Sequence, residues 1–346
     1  QDRLYLGRGD GRFRDVTDAA GLGVSGGKGL GVVAADLEGR GRLSLFVAND
    51  TRPNFLFTCP ADVSEDEFLL RERGVVAGVG FNGNGRAEGC MGVAAGDADG
   101  DGRLDLFVTN FLDETNTLFA GIGAEQGGGL FRDRTRQAGL SESSRLTLGF
   151  GTQFLDGDLD GHLDLVVTNG HVDDYSTRGR PYRMTPQYYQ NRGDGRFDLV
   201  AARSLGKHFS RRYLGRGLAR IDWNRDGLPD VAVSALDIPV VLLTNTTVEH
   251  GHFLRLQLVG TRSHRDAIGT RVTVESDVTT GVHQLTAGDG YHASNERTLL
   301  IGLGEAERIK RLVVAWPSGL RQEFTDVAAD RNLVVIEGRL HPVALP

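Results

Sequence analysis

The stretch DADGDGRLD at residues 97–105 decides the fold, because related stretches recur at regular intervals along the chain. They are DLEGRGRLS from Asp36, DGDLDGHLD from Asp156 and DWNRDGLPD from Asp222, and the four starts lie 61, 59 and 66 residues apart. A phenylalanine precedes each stretch by 23 to 29 residues, at Phe13, Phe68, Phe131 and Phe197. Two markers that keep step over four cycles indicate an internal structural repeat.

Each acidic stretch is followed by a short apolar segment, and these segments read LSLFVAN, LDLFVTN, LDLVVTN and PDVAVSA. Short runs of β-branched and aromatic residues bounded by turn residues predict buried strands. The 49 glycines, which follow no collagen period, indicate many tight turns. A cycle of about 60 residues fits a four-stranded propeller blade with long loops. The sequence therefore predicts an all-β fold with a β-propeller over residues 1–250.

The acidic stretches stop after residue 250, and a different pattern begins. Leu254, Leu256 and Leu258 alternate with polar residues, as expected for a half-buried strand. Further short apolar runs lie at 272–274, 312–314 and 333–336. We therefore predict a small antiparallel β-sandwich-like domain over residues 251–340.

Two local features stand apart from the repeat. Residues 64–67, Ser-Glu-Asp-Glu, have the spacing of a capping box and predict one short insertion helix. Cys59 and Cys90 are the two cysteines. The sequence leaves open whether they pair in an oxidising compartment or are buried as small apolar groups.

Oxygen-bearing side chains stand at positions 1, 3, 5 and 9 of the last three acidic stretches, with glycine at position 6. Oxygen ligands at positions 1, 3 and 5, a sharp glycine turn and a backbone carbonyl at position 7 are typical of calcium sites. Without a cation, carboxylates about 4 Å apart repel each other by about 4 kcal/mol at an effective dielectric of ~20. We therefore predict about three Ca²⁺ sites. Their candidate ligands are Asp97, Asp99, Asp101, Arg103, Asp105, Asp156, Asp158, Asp160, His162, Asp164, Asp222, Asn224, Asp226, Leu228 and Asp230, of which residues 103, 162 and 228 offer only a backbone carbonyl.

An EF-hand begins with the same spacing but needs a glutamate at position 12 and flanking helices. Position 12 is instead Val108, Val167 and Val233, each within a predicted strand. The first acidic stretch departs from the pattern, since position 5 is Arg40 and position 9 is Ser44. A guanidinium in the place of the ion would pair with the remaining carboxylates. We therefore predict no calcium in the first stretch.

Charge and hydropathy exclude several classes of function. The net charge of −7 disfavours nucleic acid and anionic membrane surfaces as partners. No apolar run approaches the roughly 18 residues that a membrane span needs. The chain begins at Gln1, as a processed or truncated piece would, so the missing signal peptide does not indicate a cytoplasmic protein.

The one polar cluster suited to acid–base chemistry is His171 with Asp174, in the long insertion at 170–190. These two residues are weak catalytic candidates. We favour a loop that packs over the propeller face, with His171 hydrogen-bonded to the backbone. The sequence contains no HExxH or Walker motif.

The DxDxDGxxD loops on units of ~60 residues resemble the FG-GAP/VCBS repeats of integrin-like propellers. RDAIGTRVTV from Arg265, GDGYHASN from Gly288 and WPSG from Trp316 resemble the ASPIC/UnbV domain of cartilage-acidic-protein-like secreted proteins. The resemblance implies a calcium-binding protein that is secreted, periplasmic or on the cell surface. Such propellers usually have more blades than four cycles supply. The sequence leaves open whether the ring is incomplete or whether the N-terminal strand completes the last blade.

Two functions follow from these features. The first is an extracellular protein that binds calcium and acts as a binding or adhesion module for a glycan, matrix or protein ligand. The alternative is a calcium-dependent enzyme that acts on a secreted metabolite or polysaccharide through the 170–190 insertion. The absence of an HExxH or Walker motif favours the binding module.

Overall fold

The computed structural model describes residues 2–60, 62, 68–123 and 129–345, and strands dominate it, as the all-β prediction expected. The chain begins with a hairpin of β1 (Tyr5–Gly7) and β2 (Phe13–Asp15). The insertion helix predicted at residues 64–67 lies outside the described residues. Within the described ranges, no helix has the length and apolar character to cross a membrane.

Four small antiparallel sheets follow the hairpin, and each carries one acidic stretch between its first two strands. Strands β3 to β6 form the first sheet and span Gly29–Ala35, Ser44–Asn49, Phe55–Thr58 and Arg71–Glu72. Strands β7 to β10 form the second and span Val93–Gly96, Asp105–Val108, Thr117–Ile122 and Leu130–Asp133. Strands β11 to β14 form the third and span Gly149–Leu155, Asp164–Asn169, Gln187–Asn191 and Phe197–Leu199. Strands β15 to β17 form the fourth and span Gly215–Ile221, Asp230–Ala235 and Val241–Leu243.

Helical segments are short and lie in the connections between strands. They are α1 (Gly74–Ala77), α2 (Ser141–Ser144) and the 3-10 turns Ser176–Arg178 and Ala202–Ser204.

The first strands of successive sheets lie against one another through glycines. A Cβ on Gly31 would come within 2.5 Å of the carbonyl oxygen of Met91, two residues before the first strand of the next sheet. A Cβ on Gly92 would come within 2.1 Å of the carbonyl oxygen of Phe150 in the sheet after that. Each glycine stands five residues before an acidic stretch, so the close approach repeats with the sequence. This succession of small sheets is the blade arrangement of a β-propeller, and the predicted fold class is confirmed.

Two of the four repeated phenylalanines, Phe131 and Phe197, fill the space between neighbouring blades, whereas Phe13 and Phe68 are 71% and 63% exposed. Phe131 is buried with Phe46 of the first sheet and Phe119 of its own sheet. Phe197 is buried with Phe107 of the second sheet and Tyr189 of its own. Burying one such side chain stabilises the fold by about 1.5–3 kcal/mol. Phe131 and Phe197 therefore each close one blade interface.

The C-terminal region forms a two-sheet sandwich. Strands β18 to β26 span His252–Val259, Arg271–Ser276, Thr280–Gln284, Ala287–Gly288, Leu299–Gly304, Arg308–Ala315, Arg321–Ala328, Arg331–Ile336 and Val343–Ala344. One sheet has the order β22-β18-β25-β26 and the other β20-β19-β23-β24. Trp316, 3% exposed, packs in the core between them with Leu254 and Ile301. The prediction of antiparallel strands is wrong for β18 and β25, which pair in parallel. The chain reaches β25 by crossing from the other sheet, so the two strands run in the same direction.

Strand β21 belongs to neither sandwich sheet. It pairs with β3 of the first blade, where Gly288 lies opposite Val33. Two residues farther along, Gly290 forms a β-bridge with Val93 of the second blade. Farther along, the amide of Glu296 donates to the carbonyl of Arg220 in the fourth blade. The segment 287–296 therefore joins the sandwich to the inner strands of the propeller.

Candidate metal centres

The four acidic stretches form loops with a common backbone; loop 1 is 36–44, loop 2 is 97–105, loop 3 is 156–164 and loop 4 is 222–230. Positions 4 and 6 of every loop have a positive φ, for example 73° at Gly100 and 84° at Gly102. In loops 1 to 3 the carboxylate at position 1 holds this turn. In loop 2 the oxygens of Asp97 accept the amides of Asp101 at 3.1 Å and of Gly102 at 2.8 Å.

Loops 2 and 3 each bring three carboxylates together. One oxygen from each of Asp97, Asp99 and Asp105 lies within 4.8 Å of the other two. Asp156, Asp158 and Asp160 form an equivalent group in loop 3. Within the described residues, the carboxylates of loop 4 form no such group.

Two oxygens in these groups lack a hydrogen-bond donor. Oδ1 of Asp99 and Oδ1 of Asp158 are buried, and neither has a partner in the described part of the chain. A buried polar atom without a partner destabilises a fold by about 1–3 kcal/mol, and more when it is charged. A divalent cation at either group would complete the coordination of these oxygens. The donor sets of loops 2 and 3 therefore fit calcium.

Burial also disfavours the anionic form of several loop carboxylates. It raises the pKa of Asp97 to about 6 and that of Asp105 to about 8, with neighbouring carboxylates adding to both shifts. In loop 3, burial raises the pKa of Asp164 to about 7 and that of Asp156 well above its ordinary value. A bound cation would supply the positive charge that these groups lack.

The aspartate at position 9 ties its loop to the sheet as well as closing the acidic set. Asp105 accepts the amides of Ala98 at 2.9 Å and Gly121 at 2.8 Å. Asp164 accepts the amide of Asn191 at 2.7 Å and the hydroxyl of Tyr188 at 2.5 Å. The sequence predicted a metal ligand at this position, and the structure gives these side chains a structural role in addition.

The position-5 and position-7 residues also contact each other. In loop 3 the amide of His162 donates to the carboxylate of Asp160 at 2.8 Å. In loop 4 the amide of Leu228 donates to Asp226 at 2.9 Å, and Asn224 donates to the same carboxylate at 2.7 Å.

Loop 1 places an arginine among its acids, as the sequence suggested. Nη2 of Arg40 lies 2.6 Å from Oε2 of Glu38 and donates to the carbonyl of Cys59 at 2.9 Å. The Asp36 carboxylate accepts the amides of Arg40 and Gly41, so the turn matches loops 2 and 3. This loop therefore obtains its positive charge from its own side chain.

Loop 4 meets an arginine from the sandwich. Arg255 is 5% exposed, and its Nε lies 3.8 Å from Oδ2 of Asp222. Its Nη2 donates at 2.6 Å to Oε1 of Glu296, whose other oxygen accepts the Asp222 amide. Both carboxylate oxygens of Asp222 are buried without a donor among the described residues. The sequence missed Arg255, because polar residues that alternate with leucines in a strand usually face solvent. It also missed Glu296, which lies outside the strands.

The two three-carboxylate groups differ in their basic neighbours. In loop 2, Arg134 lies 3.3 Å from Asp99, and Arg103 forms a tight pair with Asp101. In loop 3, Asp158 accepts a neutral hydrogen bond from Gln190 at 3.0 Å. Loop 3 therefore has the stronger requirement for an added cation.

The sandwich lies against the face that carries the loops. Arg271 donates at 2.9 Å to the carbonyl of Gly102 in loop 2. Gln284 accepts the amide of Asp36 in loop 1 at 2.8 Å. Loop 4 contacts Arg255 and Glu296, and loop 3 accepts backbone amides from Gly251 and Gly304. Every loop therefore contacts the C-terminal region.

The catalytic candidates do not form a site together. His171 is 3% exposed, and its Nδ1 accepts the backbone amide of Asp173 at 3.0 Å. Burial lowers the pKa of His171. Asp174 is exposed and accepts the amide of Ser176. His171 is thus held by the backbone within the insertion, as we favoured from the sequence.

The two cysteines are free and buried. Cys90 lies in the core between the first two blades and Cys59 in a separate cluster, so both act as small apolar groups.

Comparison with known proteins gives two module matches. A model for the FG-GAP-like repeat matches residues 156–233, which include loops 3 and 4. A model for the ASPIC and UnbV domain matches residues 260–341 in the sandwich region. The resemblance inferred from the sequence is therefore confirmed.

Two curated relatives share this architecture. Cartilage acidic protein 1 from Homo sapiens is 25% identical over 278 residues, which is 73% of this chain and 36% of the relative. Cartilage acidic protein 1 from Xenopus tropicalis is 24% identical over 268 residues, with the same coverage of each chain. The chain thus spans about a third of the length of the curated relatives that it matches.

Proposed function

We propose that this chain is an extracellular calcium-binding β-propeller module that binds a glycan, matrix or protein ligand. Calcium binds in loops 2 and 3. Loop 4 carries the same oxygen pattern and is the third candidate, with Arg255 as a competing cation. The role of the ion is to fix the loops rather than to take part in a reaction.

The observation that carries this proposal is the pair of buried, unpartnered oxygens on Asp99 and Asp158, each inside a group of three carboxylates. Ordinary solvated Asp-Gly turns would direct these oxygens to water. Calcium prefers six to eight oxygen ligands and tolerates irregular geometry, whereas magnesium keeps several waters. The dense all-protein oxygen set therefore favours calcium.

The proposed location and ligand rest on the two relatives, both named for cartilage. Millimolar calcium, which such sites require when their affinity is modest, is typical of extracellular fluids. We therefore place the chain outside the cytoplasm, in a secreted, periplasmic or surface-bound form.

The test is thermal unfolding of the full chain in calcium and in chelator. Calcium at ten times its dissociation constant stabilises a fold by about 1.4 kcal/mol per site. The double variant Asp99→Asn, Asp158→Asn should lose most of this stabilisation. Equal melting temperatures in calcium and chelator for the natural sequence would rule out the calcium sites. A glycan and matrix-protein binding screen with and without calcium then tests the ligand class.

A further inference from the structure

We propose that calcium binding in loop 3 and docking of the sandwich onto the propeller are coupled, so that removing the ion loosens the sandwich. This inference rests on the proposed function, because it requires a cation in loop 3. It assigns a regulatory role to that site, because the sandwich covers the loop face of the propeller and calcium would control how firmly it is docked.

The sandwich is hydrogen-bonded to the backbone of loop 3. The amide of Gly251 donates to the carbonyl of Asp158 at 2.9 Å. The amide of Gly304, at the end of β22, donates to the carbonyl of Leu159 at 2.8 Å. Asp158 therefore offers its side chain to the candidate metal group and its own carbonyl to the sandwich.

The backbone of β22 also lies directly against the first carboxylate of the loop. A Cβ on Gly302 would lie 1.9 Å from Oδ2 of Asp156. No side chain fits at that distance, so the position of this strand and the position of the carboxylate depend on each other. A movement of either one must move the other.

Position 4 of the loop gives an independent indication. This residue has a positive φ in all four loops, and it is glycine in loops 1 and 2. Loops 3 and 4 place Leu159 and Arg225 there, with φ of 59° and 62°. Both contact the C-terminal region: Leu159, 1% exposed, through its carbonyl, and Arg225 through an ion pair with Glu296. Strained backbone persists where the surroundings hold it, and here the C-terminal region supplies part of that support.

The physical basis of the coupling is shared ordering. An ion bound by Asp156 and Asp158 fixes the backbone that presents the two carbonyls to the sandwich. A docked sandwich fixes the same backbone before the ion arrives. Each event lowers the entropy cost of the other, so the two affinities must rise together.

The first test is amide hydrogen exchange of the unsubstituted chain in calcium and in chelator. The amides of Gly251 and Gly304 should exchange about tenfold or more faster in chelator, a coupling within the range usual for linked sites. Amides of β23, inside the sandwich, serve as the control and should not change. The amides of Asp160 and Gly161, which bond the Asp156 carboxylate, report on the loop itself.

These amides separate the two ways of failing. Faster exchange at Asp160 and Gly161 with none at Gly251 and Gly304 would show that calcium binds without coupling, which overturns this inference and leaves the proposed function intact. No change at any of the four would overturn calcium binding in loop 3, and the inference with it.

The second test is Leu159→Gly, with the exposed Leu340→Gly as the matched control. Glycine relieves the strain at position 4, so an uncoupled loop would bind calcium with equal or higher affinity. Coupling predicts the opposite, an affinity about fivefold lower, because the variant loosens the docked state. Titration calorimetry measures both variants, and unchanged or tighter binding in Leu159→Gly contradicts the proposal.

Discussion

Loops 1 and 3 fold the same turn around different sources of positive charge. In both, the position-1 aspartate accepts the amides at positions 5 and 6, and positions 4 and 6 have a positive φ. Loop 1 places Arg40 beside Glu38, whereas loop 3 leaves a buried oxygen of Asp158 without a donor. The backbone of the turn is therefore independent of the charge it holds. The side chains at positions 3, 5 and 9 decide whether a cation is needed.

Removal of calcium should produce the largest change in stability, because it affects loops 2 and 3 but not loop 1. At free calcium one hundred times the dissociation constant, each occupied site stabilises the fold by about 2.7 kcal/mol. Two sites give about 5 kcal/mol, and loop 1 contributes nothing. Chemical denaturation with and without chelator measures the difference. The double variant Asp99→Asn, Asp158→Asn is the control, and an equal loss in that variant would contradict the assignment.

The stability of the fold should change with pH in opposite directions with and without calcium. In chelator, the raised pKa values of Asp97, Asp164 and Asp105, about 6, about 7 and about 8, mean that the folded state holds protons more tightly than the unfolded state. This contribution is complete below the unfolded value near 3.8 and is lost as the pH rises through about 6 to about 8. Stability in chelator should therefore fall from pH 5 to pH 8.

With calcium present the ligands must be deprotonated to bind, so stability should rise over the same interval. Urea unfolding at a series of pH values, in calcium and in chelator, gives both curves. Parallel curves would show that these carboxylates do not bind the ion.

The limits of sequence interpretation follow from these same residues. The acidic pattern predicted the loops, the strands beside them and the exception in loop 1, because turn chemistry and charge are local properties of the sequence. Arg255 and Glu296 escaped prediction, since their contacts depend on how the sandwich meets loop 4. The parallel pairing of β18 with β25 is also set by long-range contacts. The glycine five residues before each loop was a readable signal of blade contact.

Loop 1 can be converted into a candidate calcium site by two substitutions. Arg40→Asp with Ser44→Asp restores the carboxylates at positions 5 and 9. The variant should bind one additional calcium ion, which at ten times its dissociation constant contributes about 1.4 kcal/mol. Arg40→Asp with Ser44→Ala is the control and should bind the ion more weakly. Titration calorimetry gives the number of ions, and an unchanged number would show that side-chain charge is not the deciding feature.

The smallest expected effect concerns the difference between loops 2 and 3. Arg134→Met removes a competing cation from Asp99 and should raise the calcium affinity of loop 2. The arginine is half exposed, so the gain should be about two- to threefold, within the ~0.2–1 kcal/mol of surface ion pairs. Arg136→Met is the matched control. Weaker binding in Arg134→Met would show that this arginine supports the site.

Equilibrium dialysis with radioactive calcium tests the central claim most directly, because it counts bound ions on the unsubstituted chain. We predict at least two ions per chain at millimolar calcium, with one lost in Asp99→Asn and one lost in Asp158→Asn. Calcium binding that neither substitution alters, or no binding at millimolar calcium, would contradict the assignment of loops 2 and 3 as metal sites.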